Sequence, residues 1–379
     1  MKRGRILAAD LFCGAGGTST GLAMAARILG VDVTLVAVNH WPVAIATHQA
    51  NHPDHLHKCA NLAQVDPCEL VPGGYLDALF ASPECTHHSI ARGGKPRSDQ
   101  SRSSPMLILD WLSKLHVKAF VIENVIEFQS WGPLDEEGQP ISQRKGETFL
   151  AWMAMLRALG YTVEVRELVC ADYGAPTTRR RLFIYGRRDG KPVLWPRPSR
   201  FADAAEPGQR WIPARDIIDW SLPGRDIAMR KKPLAKKTLR RIEIGIREFC
   251  IDDPQPFLIV LRGTGTARSV DRPLPAITAG GGHLALVTFL VQYYGSSDIA
   301  SVDAPLPTVT TKDRFALITL DGRSMQIRLR MLTKRELARA QGFGDGYVFA
   351  GNGTEVGKQI GNAVPPPVAQ ALALEVLSA

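Results

Sequence analysis

Long apolar runs are scarce in this sequence: the longest covers about eight residues, around Leu284–Val291, whereas a membrane-spanning helix needs about 20. We therefore expect no membrane span. Asp10 ends the apolar stretch of the basic N-terminal segment too early for a signal peptide. Cysteines are also few, six in 379 residues. Without an export signal, they indicate reduced thiols in a cytoplasm and exclude a disulfide framework.

Acidic residues are the minority among the charged side chains. The chain has 46 Lys and Arg against 37 Asp and Glu, a formal net charge of +9. Such a balance favours a polyanionic partner such as nucleic acid. Apolar residues make up 45% of the chain, enough for a sizeable core. The length predicts two domains or one large interrupted domain.

Short β-branched runs alternate with helical patterns over the first 190 residues. This alternation predicts a parallel, doubly wound α/β sheet, in which ligands lie at the carboxyl ends of the strands. The predicted strands are Ile6–Phe12, Val33–Val38, Asp77–Ala81 and Ala119–Glu123, and the helices between them include a first helix ending near Leu29, Pro42–Ala50 and Pro105–Leu115.

Residues 191–325 have a different composition, rich in Pro, Gly, Arg and Thr with little helical periodicity. They contain an internal repeat, 257–288 and 289–319, in which SVDRPLPAIT recurs as SVDAPLPTVT. Two tandem strand–loop units predict a small β-rich domain, and a purely structural duplication is the alternative. Helical character returns after Leu332, and we expect the last helix to pack on the first domain.

A glycine-rich turn, DLFCGAGGTSTGL (10–22), joins the first strand to the first helix. Glycines permit a sharp turn and close approach of the backbone to a ligand, although tight strand–helix turns are common. The spacing is neither the GxGxxG of dinucleotide folds nor the lysine-bearing Walker loop. Phe12 within the turn favours a flat group, as in sites that bind a methyl donor.

Six motifs in order resemble those of the cytosine-5 DNA methyltransferase family of bacteria and phages. They are DLFCGAGG (10–17), SPECTHHS (82–89), ENV (123–125), YGAPTTRRRLFIYG (173–186), LTKRELARAQGF (332–343) and GKQIGNAVPPPVA (357–369). The resemblance covers nearly the whole chain. It implies a Rossmann-like doubly wound S-adenosylmethionine-dependent methyltransferase domain (1–190 plus 326–379) with a smaller β-rich target-recognition domain (191–325).

The resemblance also implies roles for individual residues. Cys85 matches the nucleophile that adds to C6 of cytosine, and Glu123 matches the group that assists at N3. Arg179 and Arg181 match the two arginines expected at the O2 edge of the base, and strand alternation puts both on one side. The base has to flip out of the duplex to reach such groups.

S-adenosyl-L-methionine is the implied cofactor and double-stranded DNA the implied substrate. The expected cofactor-binding residues are Phe12, Cys13, Gly14, Ala15, Gly16, Asn39, His40, Trp41, Asn61, Leu62, Asn362, Ala363 and Val364. The expected DNA-binding residues are Ser89, Lys95, Arg97 and Arg102 of a basic loop, and Thr278 and Thr310 at equivalent places in the repeat.

Several positions depart from the family pattern. Glu84 stands where a proline usually precedes the nucleophile, and His40 and Asn61 stand where acidic residues usually hold the cofactor. Glu84 either points outward or contacts cofactor or base. Histidines and cysteines between residues 52 and 68 invite a zinc interpretation, but their spacing matches no established site, and we predict no metal.

We therefore predict a DNA (cytosine-5)-methyltransferase in a bacterial cytoplasm, acting alone or with a cognate restriction endonuclease. Two alternatives remain at this point: an RNA cytosine-5 methyltransferase, and a non-catalytic DNA-binding regulator that retains the fold. Intact Cys85 and Glu123 argue against the regulator. The Asp/Asn-Pro-Pro-aromatic motif of amino-methylating enzymes is absent.

Overall fold

The computed structural model describes residues 4–83, 99–136, 138–249, 256–262, 265–279, 283–292 and 324–378. The helices are α1 (Gly17–Leu29), α2 (Pro42–Asn51), α3 (Pro67–Leu70), α4 (Asp99–Lys114), α5 (Glu147–Ala158), α6 (Lys236–Phe249), α7 (Lys334–Gln341), α8 (Gly353–Asn362) and α9 (Pro366–Ser378). The strands are β1 (Arg5–Leu11), β2 (Asp32–Asn39), β3 (Leu56–Cys59), β4 (Tyr75–Ala81), β5 (His116–Asn124), β6 (Thr162–Val169), β7 (Arg180–Arg187), β8 (Arg225–Asp226), β9 (Phe257–Val260), β10 (Ala267–Ser269), β11 (Leu284–Gln292) and β12 (Ser324–Met331).

The chain divides into two compact units. The first contains Met1–Ile212, Pro273–Gly281 and Leu337–Ala379, and the second contains Pro213–Arg272 and Gly282–Glu336. The predicted boundaries at 190/191 and 325/326 concern the functional division into catalytic and recognition domains, and that division stays a prediction. No helix among the described residues is both long and apolar enough to cross a lipid bilayer.

A seven-stranded sheet forms the centre of the first unit, in the order β3-β2-β1-β4-β5-β7-β6. Neighbouring strands from β3 to β5 pair in parallel, which confirms the predicted doubly wound α/β class. The exception is β7, which pairs antiparallel with both β5 and β6. Its connection to β6 is too short for the crossover that a parallel pair requires.

Each face of this sheet buries apolar side chains. One face, with Phe120, Ile122 and Ile184, packs with the side chains of α4 and α5. The other face, with Ala119, Val121 and Phe183, packs with α1 and α9. Gly21 makes this second contact close, because an added Cβ atom would lie 2.5 Å from the Ala369 Cβ. The α1/α9 face is the one on which the candidate site forms.

The second unit contains a five-stranded antiparallel sheet in the order β10-β9-β11-β12-β8. Its apolar core includes Phe257, Ile259, Val287 and Leu329, and α6 adds Ile242. The first copy of the repeat supplies β9, β10 and part of β11, whereas the second copy lies outside the described residues after Gln292. The sequence analysis found little helical periodicity in this region, and α6 is the helix that it did not predict.

Candidate active site

Three of the predicted motifs begin at one edge of the first sheet. In the strand register, Leu11 of β1 lies beside Ala81 of β4, and Ala81 lies beside Ile122 of β5. The backbone N–H of Ser82 donates to the Leu11 carbonyl at 3.1 Å. Because these strands are parallel, the glycine-rich turn, the Ser-Pro segment and the Glu-Asn-Val segment all leave the sheet at its carboxyl edge.

Glu123 lies at the end of β5 with two arginines beside its carboxylate. Phe183 of β7 is opposite Glu123, and Arg181 lies on the same face because side chains alternate along a strand. Arg181 Nε is 3.1 Å from Glu123 Oε1, and an Nη atom of Arg179 is 3.9 Å from the same oxygen. The structure thus brings together three of the four predicted catalytic residues as one ion-pair cluster.

Arg179 is fixed by backbone carbonyls from distant parts of the chain. Its Nη1 donates to the Gly361 carbonyl at 2.7 Å and to the Ile277 carbonyl at 3.4 Å. The side chain is only 2% exposed, and burial, followed by the charge of Arg181, lowers the pKa of Arg179 to about 9. Since this value is above neutral pH, Arg179 stays positively charged and keeps Glu123 in a cationic environment.

A narrow cavity with space for about one water molecule lies beside this cluster. Glu123 and Ser82 form part of its wall, Thr18 of α1 approaches from the turn, and the remaining side chains are apolar. Those apolar residues are Phe80, Ala81, Val121, Phe183, Val364, Ala369 and Leu372. Apolar side chains around a few convergent polar groups are typical of the lining of a small-molecule site.

The glycine-rich turn has an unusual backbone. Phe12 has a φ of 59°, the only positive value at a described non-glycine residue, and Gly14 and Gly16 are also positive. Nothing lies closer than 3.9 Å to the place of a Cβ atom on Gly14. A strained residue beside an uncovered backbone often marks a ligand site. The turn therefore fits a bound ligand at the carboxyl edge of β1.

Gly16 and Gly17 are needed for packing within the protein. A Cβ atom on Gly16 would lie 2.8 Å from the Tyr347 hydroxyl oxygen, and one on Gly17 would lie 2.1 Å from the Val364 carbonyl oxygen. The Tyr347 hydroxyl also donates to the Ala15 carbonyl. These contacts join the turn to the C-terminal segment of the first unit.

We expect Gly17→Ala to lower the free energy of unfolding by about 2 kcal/mol or more, because the new methyl group would overlap a backbone carbonyl. Equilibrium unfolding in urea measures this change. Gly73→Ala is the matched control, since nothing lies within 4 Å of its Cβ position. Equal midpoints for the two variants would contradict the packing role of Gly17.

The other predicted cofactor residues follow β2 and β3 at the same edge. The Asn39 side chain accepts from the Trp41 N–H at 2.9 Å, and the Ala60 N–H donates to the Asn39 carbonyl at 3.1 Å. Asn61 accepts from the Ala63 N–H at 3.1 Å, and Leu62 is buried. His40 and Asn362 are exposed, whereas Cys13, Ala363 and Val364 are buried.

A polar network that was not predicted from the sequence lies next to the turn. Ser19 Oγ donates to Asp10 Oδ2 at 2.7 Å and lies 2.9 Å from His48 Nε2. His48 Nδ1 is 2.9 Å from His57 Nε2. We call Asp10, Ser19, His48, His52, His55 and His57 the histidine network. A sequence signal existed, because histidines at 48, 52 and 55 share one face of a helical pattern.

Burial controls the titration of this network. It raises the pKa of Asp10 to about 7 against the hydrogen bond from Ser19. Burial, and then the neighbouring His52, lower the pKa of His48 to about 2, and burial lowers that of His52 to about 4. The pKa values of His55 and His57 are also lowered, mainly by burial. No group of three His, Cys, Asp or Glu residues in the described segments is arranged to hold a metal ion.

We expect the free energy of unfolding to fall as the pH is lowered from about 7 to about 5. His48 and His52 take up protons only on unfolding, so their contribution is present above pH 6.5 and lost as the pH falls. Asp10 acts oppositely, since its raised pKa gives stability at low pH that is lost as the pH rises through about 7. Two histidine protons outweigh one carboxyl proton, and each net proton contributes about 1.4 kcal/mol per pH unit.

Urea unfolding at several pH values measures this slope. His52→Gln should flatten it by about one proton, and His116→Gln, at an exposed position outside the network, should leave it unchanged. A free energy of unfolding that stays constant or rises as the pH is lowered from about 7 to about 5 would contradict the titration assigned to the network.

Several predicted site residues lie outside the described residues: Glu84, Cys85, Ser89, Lys95, Arg97 and Thr310. Arg102 falls within α4, but its side chain is not among those described. Thr278 is described and lies against α8, since a Cβ atom on Gly361 would be 2.6 Å from the Thr278 carbonyl oxygen. The carbonyls that hold Arg179 could not be predicted from the sequence, because backbone acceptors leave no signal in residue types.

Known proteins resemble this chain over most of its length. The chain is 26% identical to the type II methyltransferase M1.HphI of Haemophilus parahaemolyticus, over 97% of the chain and 86% of that protein. It is 33% identical to the type II methyltransferase M.AgeI of Thalassovita gelatinovora, but the match covers only 50% of the chain and 41% of that relative.

The fold also matches a solved structure. The Schizosaccharomyces pombe Dnmt2 methyltransferase superposes with a TM-score of 0.60 at 17% identity, over 99% of this chain and 98% of that one. The sequence model of the family described as C-5 cytosine-specific DNA methylase matches residues 6–207 and 279–378. With matches on both sides of the intervening segment, this chain belongs to the C-5 cytosine-specific DNA methylase family.

Proposed function

We propose that this chain transfers a methyl group from S-adenosylmethionine to C5 of a cytosine flipped out of duplex DNA. The observation that carries the proposal is the cluster of Glu123, Arg179 and Arg181 beside the cavity. Ser82, three residues before Cys85, lies in the same cavity wall. The family membership supports the assignment of the reaction.

The first step makes C5 nucleophilic. The Cys85 thiolate forms a bond to C6, and the electron pair of the C5=C6 double bond moves to C5 as an enamine. Negative charge develops toward N3, and a proton shared between N3 and the Glu123 carboxylate lowers the barrier. Arg179 and Arg181 bind the O2 edge of the base, with Arg179 kept in place by its carbonyl partners.

The second step releases the product. Bound S-adenosylmethionine would give its methyl group to C5 as the bond between that group and the sulfonium sulfur breaks, leaving S-adenosylhomocysteine. The proton on C5 then leaves to water, its electron pair restores the C5=C6 double bond, and the proton at N3 is released through Glu123. The bond between Cys85 and C6 breaks, and the thiolate is regenerated.

The cofactor site is assigned to the carboxyl edge of β1, β2 and β3. The uncovered backbone at Gly14 and the strained Phe12 are the features that fit a ligand there. S-adenosylmethionine supplies an electrophilic methyl group when bound. The residues proposed to hold it are Phe12, Cys13, Gly14, Ala15, Gly16, Asn39, His40, Trp41, Asn61, Leu62, Asn362, Ala363 and Val364.

Target recognition is assigned to residues 191–325, and catalysis to 1–190 plus 326–379. The DNA contacts proposed are those of Ser89, Lys95, Arg97, Arg102, Thr278 and Thr310. Thr278 is next to Ile277, whose carbonyl accepts from Arg179, and this adjacency supports a place near the flipped base. We further infer that the chain acts on DNA in a bacterial cytoplasm, either alone or with a cognate restriction endonuclease.

Bisulfite sequencing of DNA from a methylation-deficient host that expresses the chain tests this function. We expect 5-methylcytosine at one recurrent sequence, and none in cells with the empty vector. An endonuclease that cuts at that sequence should then fail to cleave the DNA. Methylation found only in RNA, or none in either nucleic acid, would contradict the proposal.

A further inference from the structure

A strongly basic segment lies in the part of the chain that the family model does not match, residues 208–278. Residues 228–242 contain seven Lys and Arg residues and no Asp or Glu. Six of the seven side chains are exposed, and we call them the basic patch: Arg230, Lys231, Lys232, Lys236, Lys237 and Arg240. The segment covers the start of α6 and the residues just before it.

The helix that carries half of the patch is fixed on the second sheet. Ile242 is 3% exposed and packs with Phe257 in the core of the second unit. Gly245 allows close approach, because an added Cβ atom would lie 2.1 Å from the Phe257 ring. The Arg241 Nε donates to the Gly265 carbonyl at 2.7 Å. The opposite face of α6 therefore presents its cations from a rigid support.

The cations of the patch are not neutralised within the described part of the chain. None of the six forms an ion pair with a described residue, whereas Arg247 further along α6 pairs with Glu243 at 2.6 Å. The first turn of α6 has no acidic residue, so Lys236 and Lys237 lie where the helix dipole disfavours positive charge. This arrangement slightly lowers the stability of the protein without a ligand, and it concentrates positive potential at the basic patch.

We propose that the basic patch binds phosphates of duplex DNA outside the flipped base. Duplex DNA carries one negative charge per about 1.7 Å of its axis, so several cations on a rigid helix meet several phosphates at once. The patch reads no base, because phosphate contacts carry no sequence information. The inference rests on the proposed function, which makes DNA the polyanion that this chain encounters.

The test compares the salt dependence of DNA binding. The variant Lys236→Gln/Lys237→Gln/Arg240→Gln and the wild type are titrated by fluorescence anisotropy with a duplex of about 30 base pairs at several salt concentrations. We expect the slope of log K against log salt to decrease by about 2–3, and the affinity near 0.1 M salt to fall about 10- to 100-fold. At saturating DNA the methylation rate should be unchanged.

The matched control removes the same charge elsewhere. Arg27, Arg157 and Lys191 are exposed at the amino edge of the first sheet, away from the carboxyl edge that holds the site, and Arg27→Gln/Arg157→Gln/Lys191→Gln should keep the wild-type slope. If the α6 variant does not fold, Arg230→Gln/Lys231→Gln/Lys232→Gln, before the helix, replaces it. Thermal unfolding monitors both variants.

An unchanged slope in the patch variant would overturn the proposal. A lower affinity of the variant for an RNA duplex or for anionic vesicles, with an unchanged affinity for DNA, would also overturn it. Failure of the proposed function gives a different result. In that case the wild type makes no 5-methylcytosine, while the DNA slope of the patch variant still decreases.

Discussion

Cys85→Ala is expected to abolish methyl transfer, with a loss of about 10⁴-fold or more, because alanine cannot form the bond to C6 on which activation of C5 depends. DNA containing 5-fluorocytosine gives a second measurement. Because fluorine replaces the hydrogen at C5, no proton can leave C5 after methyl transfer. The wild type with S-adenosylmethionine should therefore remain covalently attached to the DNA. A denaturing gel should show this complex for the wild type and not for Cys85→Ala.

The control for Cys85→Ala is Cys68→Ala, because Cys68 is a free and exposed thiol. Its activity and its covalent complex should match those of the wild type. Methylation by Cys85→Ala, or a complex that persists in it, would show that another group is the nucleophile. Loss of the covalent complex in Cys68→Ala, with the complex retained in Cys85→Ala, would likewise show that Cys85 is not the nucleophile.

Glu123→Gln is expected to lower kcat by about 10²–10⁴-fold. The amide keeps the shape of the side chain but cannot hold the proton needed at N3, and it leaves Arg179 and Arg181 without their carboxylate partner. Binding of DNA should change little, since the duplex is held mainly through phosphates. Single-turnover methylation at saturating DNA measures the effect.

Glu127→Gln is the matched control, because Glu127 follows four residues later and is not in the ion-pair cluster. It should retain nearly full activity. If Glu123→Gln is as active as Glu127→Gln, proton transfer at N3 comes from another group. If Glu123→Gln loses DNA binding instead of kcat, Glu123 has a structural role.

The sequence was sufficient to predict the parallel strands and the edge at which they end. The alternation of β-branched and helical segments can be read from neighbouring residues alone. The predicted strand Ala119–Glu123, for example, falls within β5. The antiparallel pairing of β7 was not predicted. Only ten residues connect β6 to β7, and so short a connection favours a hairpin over the crossover of a parallel pair. Helix α6 was also missed, even though Leu239, Ile242 and Ile246 are spaced as on a helix.

The glycine-rich turn shows why part of the site could not be predicted. From sequence, Gly14, Gly16 and Gly17 all indicate close approach of a ligand. In the structure only Gly14 has open space at its Cβ position, whereas the other two are required by Val364, Tyr347 and other protein atoms. Those contacts depend on segments far apart in sequence, and residue types do not reveal which distant atom will lie against a glycine.

The contact between Tyr347 and the turn has a consequence for the synthesis of the protein. Tyr347 donates to Ala15, a residue 332 positions earlier. At a translation rate of about 5–20 residues per second, the ribosome makes Ala15 about 20–70 s before Tyr347. During that interval β1 and α1 lack the partners that complete the turn. A newly made chain therefore completes its glycine-rich turn late, after most of it has left the ribosome. Prematurely terminated chains should depend on chaperones and leave host DNA unmodified.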